Sequence, residues 1–412
     1  MLKSSLSVNQ EPVMTIMPEM PRLFWHQLVV LGNGFDLECG LKSRFSDFMA
    51  ERLTKMEPDN FAFETWITFL QDARLTVWDF ILRDKYDQNW FDIEQAIAEL
   101  VYDISGASNR RSRIARLLLA KINSFPFQSV GMTYIKNGRR FLEKDSQEAF
   151  FGDISRVYHA RYQSREVEQI DAFDVTNFLK EELTLFENEF ANYLIGETNG
   201  NQSYVQKCNS FLSRIDEDEK PGNDEYETET GILNFNYTDP FFIRPYDISI
   251  GSKVNIHGRI DSQIIFGIDG KECMENELAL PFTKTYRIAL MEPSLATSLV
   301  YSGSANGVTE GTALIKFYGH SLGPADYSYF QSLFDSIDLY GGQTKLIFYY
   351  KPSFNDDSLG EEENPAKVKM VQKVSNLLNA YGHTLDNEDH GKNLMHKLLL
   401  EGRLSIRTVP DW

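Results

Sequence analysis

The period of the hydrophobic pattern changes twice along the chain. Leu28-Val29-Val30-Leu31 is a run of four apolar residues, two of them β-branched, which predicts a strand over 27–31 covered on both faces. The spacing then turns helical, with Phe45, Phe48, Met49 and Leu53 on one side of a helix over 45–56. Helical spacing dominates from 60 to 224, through Trp66, Phe69 and Leu70, then Leu75, Trp78, Ile81 and Leu82. It is clearest in Leu179, Leu183, Phe186, Phe190, Tyr193 and Leu194. An acidic stretch over 216–230, containing Pro221-Gly222, reads as a loop or boundary.

Beyond it, short apolar or β-branched runs predict strands at Gly231–Phe235, Lys253–Ile256, Gln263–Phe266, Ala313–Tyr318 and Thr344–Tyr350. A helix over 326–340 links the last two. Pro365 opens another helix, with Val368, Met370, Val371, Val374, Leu377 and Leu378 on its apolar side. A last helix spans 392–401, and Leu404–Val409 reads as an edge strand. This order predicts an α/β fold: a doubly wound, Rossmann-like, mostly parallel sheet built from 21–59 and 225–412. A helical insertion subdomain at 60–224 interrupts it, and 1–20 is expected to be a disordered lead.

Composition narrows the partners. Lysine and arginine number 41 against 60 acidic residues, a net charge of −19, which repels a polyphosphate chain at long range and argues against nucleic-acid binding. Arg110, Arg111, Arg113, Arg116 and Lys121 form the one basic run noted in the helical region. It reads as a solvated helix face, with a small phosphate-contacting patch as the alternative. The three cysteines, Cys39, Cys208 and Cys273, are far apart and odd in number; that suits a reducing compartment and offers no zinc ribbon. With no apolar signal region and no uncharged run long enough to cross a bilayer, the expectation is a soluble cytoplasmic protein, no membrane partner and no metal.

Ligands on doubly wound sheets sit beyond the carboxyl ends of the strands, and four polar clusters fall there. Gly32-Asn33-Gly34-Phe35-Asp36 follows the first strand, in a strand–turn–helix arrangement that attracts phosphate. Asn234-Phe235-Asn236-Tyr237-Thr238-Asp239 ends the Gly231 strand. Asn255-Ile256-His257-Gly258 is followed by Phe266-Gly267-Ile268-Asp269, and Tyr318-Gly319-His320-Ser321-Leu322-Gly323 precedes Asp326. Asparagine can fix a sugar hydroxyl or a water, and histidine can move a proton near neutral pH. Each cluster alone is more often a capped turn or loop than a site; four at one sheet edge point to a site.

Those motifs, with Gly40-Leu41, Trp90-Phe91-Asp92-Ile93-Glu94 and Phe282-Thr283-Lys284-Thr285, resemble the AbiH family of phage abortive-infection proteins over about residues 28–350. The resemblance implies a bacterial defence factor answering an unidentified phage trigger, and whether it forms a homo-oligomer is left open. More distantly, the pattern is similar to sirtuin-like NAD-binding domains. That likeness implies an NAD-type small-molecule nucleotide as substrate or ligand, contacted by Gly32, Asn33, Gly34, Asp36, Asp239, Gly267, Asp269, Gly319, His320 and Ser321. Asn236 would orient the ribose or the attacking water, and His257 would be the general base of an NAD glycohydrolase. The chain departs from that pattern at Asn33 and at Phe35-Asp36, and two residues separate Asn236 from Asp239, where that pattern has one. The zinc module of protein deacylases has no counterpart, which argues against deacylation. A non-catalytic nucleotide-sensing or protein-interaction module is the alternative reading, and Glu94 either caps its helix or reaches the cleft.

Overall fold

The computed structural model describes residues 24–56, 70–71, 74–86, 93–105, 113–124, 147–162, 170–221, 227–242, 248–270, 275–291, 299–300, 311–352, 364–386 and 388–410. Six of its strands form one sheet: β1 (Phe24–Leu31), β2 (Glu227–Asn234), β3 (Ile250–Asn255), β4 (Thr312–Tyr318), β5 (Lys345–Tyr349) and β6 (Leu404–Arg407). Their order is β3-β2-β1-β4-β5-β6, and every pairing is parallel. The chain runs outward from β1 in one direction and then in the other, so the order reverses at β1 and β4, where such sheets bind ligands.

Period-two alternation divides the sheet's side chains between two covering layers. Leu28, Val30, Ile315, Phe317, Leu346 and Phe348 pack beneath α10 (Tyr327–Ser336), α11 (Pro365–Gly382) and α13 (Leu394–Leu400), the last of these preceded by α12 (Glu388–Lys392). On the other face, Val29, Leu31, Ile232 and Ile347 meet Phe35 of α1 (Asn33–Glu38) and Tyr204, Cys208, Phe211, Leu212 and Ile215 of α8 (Gln202–Glu217). A third core lies among helices inserted between β1 and β2: α2 (Phe45–Met56), α3 (Val77–Tyr86), α4 (Ile93–Ser105), α5 (Arg113–Ser124), α6 (Gln147–Arg161) and α7 (Ala172–Thr198). Helix α7 begins in a capping box, with Asp171 accepting from the amides of Phe173 and Asp174 and the Asp174 side chain returning to the Asp171 amide. Its buried Phe178, Leu179, Leu183, Phe186, Phe190 and Leu194 run through that core.

Several predicted elements shift for physical reasons. β2 begins at Glu227, inside the acidic stretch expected to be loop, because Glu227–Thr230 pair with Phe24–Gln27 of β1. The apolar run Gln263–Phe266 is no strand of the sheet. It folds back on the preceding turn instead, with the Gln263 carbonyl accepting from the Arg259 amide and the Ile265 amide donating to the His257 carbonyl, while at Phe266 side chains take over: Glu187 accepts from its amide and Arg287 donates to its carbonyl at 2.7 Å. Ile264 and Phe266 therefore sink into the helical core. The helix expected over 326–340 ends at Ser336. Residues 1–20, Trp66 and Phe69, and the side chains of Arg110, Arg111, Arg113 and Arg116, lie outside the described residues. Among those described, no helix is long and apolar enough to cross a membrane.

Helix α8 is tied to the sheet by polar groups from the central strands. Lys316, fully buried in β4, donates through Nζ to the carbonyls of Ile215 and Asp216, each at 2.9 Å, at the carboxyl end of α8. Gln27 of β1 donates to Asp216 Oδ1 at 2.8 Å. Burial lowers the Lys316 ammonium to about 8, against the opposing pull of Asp216. A lysine depressed in the folded state holds its proton less tightly than when unfolded, so stability rises with pH between about 8 and the unfolded value. We expect this rise, up to about 3 kcal/mol, in urea unfolding of the native chain between pH 7.5 and 10. It should be missing from Lys316→Met, whose overall stability is lower because two helix-end carbonyls lose their donor.

Candidate functional site

The turn after β1 is closed by the end of β4. Gly32 N–H donates to the Tyr318 carbonyl at 3.0 Å and Gly34 N–H to the Gly319 carbonyl at 2.9 Å. A Cβ on Gly32 would lie 2.5 Å from His320 Cα, and one on Gly34 2.7 Å from Gly319 Cα. Gly319 itself has φ +74°, and a Cβ there would be 2.4 Å from the Phe35 nitrogen. The absent side chains of Gly32, Gly34 and Gly319 thus serve a backbone-to-backbone contact between two strand ends. The space that the sequence assigned to a ligand's phosphates holds Gly319 and His320. Asn33 turns to Ser43, accepting from its hydroxyl at 2.5 Å.

The turn after β2 is wound around asparagines. Asn234 donates to the Thr238 carbonyl at 2.9 Å and accepts from the Asn236 amide at 3.0 Å. Asn255 donates to the carbonyls of Asn236 and Thr238, both at 2.8 Å. Asn236 is thereby held over the glycine turn, its Nδ2 donating to the Gly32 carbonyl at 3.2 Å. Its Oδ1 is buried and has no hydrogen-bond partner, a deficit that a folded protein seldom leaves without a use. Beneath it, Asp36 accepts from Thr238 at 2.7 Å and Tyr204 at 2.8 Å. Burial raises the Asp36 carboxyl to about 6, although both hydrogen bonds pull the other way.

A charged cluster stands beside this turn. Asp326 lies 3.2 Å from His257 Nε2 and 3.2 Å from His320 Nε2. His320 Nδ1 accepts from the Leu322 amide at 2.9 Å, which leaves Nε2 turned toward Asp326. The His257 contact lacks the alignment of a full hydrogen bond. Burial and the Lys284 charge lower the His257 pKa, outweighing the attraction of Asp326. Burial pushes Asp326 up, but Lys284 and the imidazoles prevail and hold it well below the usual carboxylate range. Lys284, the first residue of α9 (Lys284–Ala289), is buried with Nζ 2.6 Å from Asp326 Oδ1 and 2.6 Å from Glu94 Oε1. Burial opposes its charge, and the two carboxylates outweigh burial, raising its pKa. Glu94, from the first turn of α4, reaches across to Lys284 at the sheet edge.

Two cavities border these groups. The smaller, about 200 Å³, lies between the sheet edge and the inserted helices. Its polar lining comes chiefly from Asn33, Asp36, Glu94 and Asn236, and its aromatic lining from Phe45, Phe190, Phe235, Tyr237 and Phe266. The larger, about 570 Å³, opens beyond β2 and β3 and is bordered by Tyr204, Tyr237, Asp239 and Arg259.

The predicted residues therefore divide. Asn33, Asp36 and Asn236 share the smaller cavity. His257 and His320 stand behind its wall, against Phe235, with ring centroids 5.4 and 4.4 Å away. Asp239 borders the larger cavity and is held by Lys253 at 2.7 Å. Asp269 accepts from the Ser328 hydroxyl and amide at the start of α10. Gly267 gives room to the Phe282 carbonyl and Lys284. Ser321 is exposed, its hydroxyl accepting from the Gly323 amide at 3.3 Å. Lys284 was missed as a site residue; its only signal was its place in the Phe282–Thr285 motif. Trp90 and Asp92 lie outside the described residues. Among those described, no group of three or more His, Cys, Asp or Glu side chains is placed to hold a metal ion.

Residues 28–350 match a protein-family model described as bacteriophage abortive infection AbiH, which is well over half of the chain. No curated protein and no solved structure gives a significant match.

Two titrations check the electrostatics. A carboxyl raised in the folded state stabilises while protonated, so its contribution falls as pH rises from about 4 through 6. Asp36→Asn should therefore gain up to about 3 kcal/mol on the native chain between pH 4 and 7, read as the difference in urea midpoints. Lys284→Met should lose about 3–5 kcal/mol at pH 7.5, because two partly buried carboxylates then lose the ammonium between them. Part of that loss should return at pH 5 as they share a proton.

Proposed function

Because the chain belongs to the bacteriophage abortive infection AbiH family, we propose that it acts in that defence as an effector that binds a nucleotide such as NAD and hydrolyses its N-glycosidic bond. The family carries the role in phage abortive infection; the chemistry is our reading of the sheet edge. The observation that supports it best is the Asn236 carboxamide, 4 % exposed, with an unpartnered Oδ1 at an aromatic-walled cavity. That oxygen is an acceptor for a ribose hydroxyl. About 200 Å³ holds a ribosyl–base end rather than a whole dinucleotide, whose remainder lies outside.

In the proposed step the C1′–N bond breaks and its electron pair goes to the ring nitrogen, so nicotinamide leaves neutral. Positive charge passes to the ribose, as in glycoside hydrolysis. Water oxygen bonds to C1′, and its proton goes to His257. With Nε2 turned toward Asp326, the basic nitrogen of His257 is Nδ1. His257 stands behind Phe235 and Tyr237, so the proton reaches it through a bridging water.

One observation favours a second reading, a nucleotide-sensing or interaction module. The Gly32 and Gly34 amides are already bonded to the end of β4 and are not offered to phosphate. Incubation of pure protein with NAD, monitoring free nicotinamide, separates the two. Asn236→Ala is expected to slow release about 100-fold and His257→Ala by 10²–10⁴, as loss of a general base does. Equal trace release from all three proteins removes the hydrolase. Tight binding without turnover transfers the assignment to the sensor.

A further inference from the structure

Two hydrogen-bond acceptors meet at the smaller cavity. Asn236 lines it, and its carboxamide is fixed: Nδ2 is engaged by the Gly32 carbonyl at 3.2 Å, and the backbone amide and carbonyl are bonded to Asn234 and Asn255. Oδ1 is left buried and without a partner. Asp36 lines the same cavity. Its Oδ1 accepts from Tyr204 at 2.8 Å and its Oδ2 from Thr238 at 2.7 Å, and each carboxylate oxygen has a second acceptor position. The third polar group from these turns, Asn33, is engaged through both atoms of its amide by Ser43. Helix α1 sets the spacing. Gly32 and Asp36 are four residues apart, which puts them on one side of the helix, about 6 Å apart along its axis. Asn236 stands over the first of these positions, and Asp36 is the second. Thr238, two residues beyond Asn236, ties the turn after β2 to Asp36 and holds that spacing.

A group that satisfies both acceptors must bring donors. Phosphate and carboxylate oxygens bring only acceptors near neutral pH, whereas two hydroxyls on adjacent carbons bring two donors. The aromatic walls, Phe45, Phe190, Phe235, Tyr237 and Phe266, suit the apolar faces of a sugar ring whose hydroxyl edge is turned to the acceptors. The geometry points to Asn236 and Asp36 as a clamp for the vicinal 2′,3′-diol of a ribose, so that the site takes ribosides and rejects their deoxy counterparts. The inference rests on reading the cavity as the ribosyl end of the nucleotide site; it adds a sugar specificity and a second contact residue. Burying a carboxylate costs stability, as the raised Asp36 pKa records, and a diol contact gives that placement a use.

Nicotinamide riboside differs from its 2′-deoxy and 3′-deoxy counterparts by one hydroxyl each. Calorimetry with the full chain at pH 7.5 should show each deoxy compound bound about 10- to 100-fold more weakly, the effect of leaving one buried acceptor unpaired. Asn236→Ala should erase one of the two losses. Asp36→Asn, which replaces an acceptor oxygen by an NH2 donor, should erase the other, and urea unfolding of the same samples checks that both variants are folded. Equal binding of the three compounds by the native chain overturns the inference without need of any variant, as does a loss confined to one hydroxyl or binding of none. Both losses surviving in either variant overturn it too. Nicotinamide release from these samples judges the hydrolase reading separately: a preference for the diol without any release keeps the clamp and removes the reaction.

Discussion

The structure depends on one ammonium shared by two carboxylates that come from different layers. Lys284 sits at the head of a six-residue helix, with Glu94 of α4 on one side and Asp326, beyond β4, on the other. A charge buried this deeply is tolerated only when paired and hydrogen-bonded, so the inserted helices and the sheet edge cannot separate without stranding it. Three residues on, Arg287 repeats the device with Glu187 of α7. Neighbours at that spacing lie on one face of a helix, and α9 is thus an electrostatic hinge-pin between the two layers. The pin stands at the site, so holding the layers together and building the cavity are one act.

Consequently neither layer contains the cavity by itself. The turn after β2 supplies Asn236, Phe235 and Tyr237, while α2, α4 and α7 supply Phe45, Glu94 and Phe190. The family match, from residue 28 to residue 350, takes in both sets. The insertion is a wall of the site, and the ion pairs that dock it set the local charge.

The glycine turn illustrates how one signal serves two geometries. Two glycines after a buried strand permit close approach by whatever is adjacent, ligand or backbone. Here the neighbour is the end of β4, and Gly319, at positive φ, completes a three-glycine contact. That contact fixes the carboxyl ends of β1 and β4, the two strands at which the sheet order reverses. It therefore positions Asn236 through the Gly32 carbonyl and His320 through the chain that follows Gly319. The turn organises the site from behind.

Much of the fold was legible because it is written locally. Leu28–Leu31 is a continuous apolar run and Ala313–Tyr318 one interrupted by Lys316, α2 ends where its spacing ends, and Pro365 opens α11 at the position where a missing N–H costs nothing. Convergence of Asn236, Asp36 and Asn33 on one edge also followed, since strand ends in a parallel sheet share a side. What the sequence could not carry was pairing across distance. Whether Gln263–Phe266 joins a sheet depends on the turn it folds back upon and on Glu187 and Arg287 taking the backbone groups of Phe266. Whether Gly32 and Gly34 face a phosphate depends on how close β4 comes. Whether Glu94 meets Lys284 depends on where α4 docks. Local pattern determined which elements form, because hydrophobic period is a property of neighbours. Only the tertiary structure decided which polar groups meet, because a buried charge takes its partner from whichever layer closes over it.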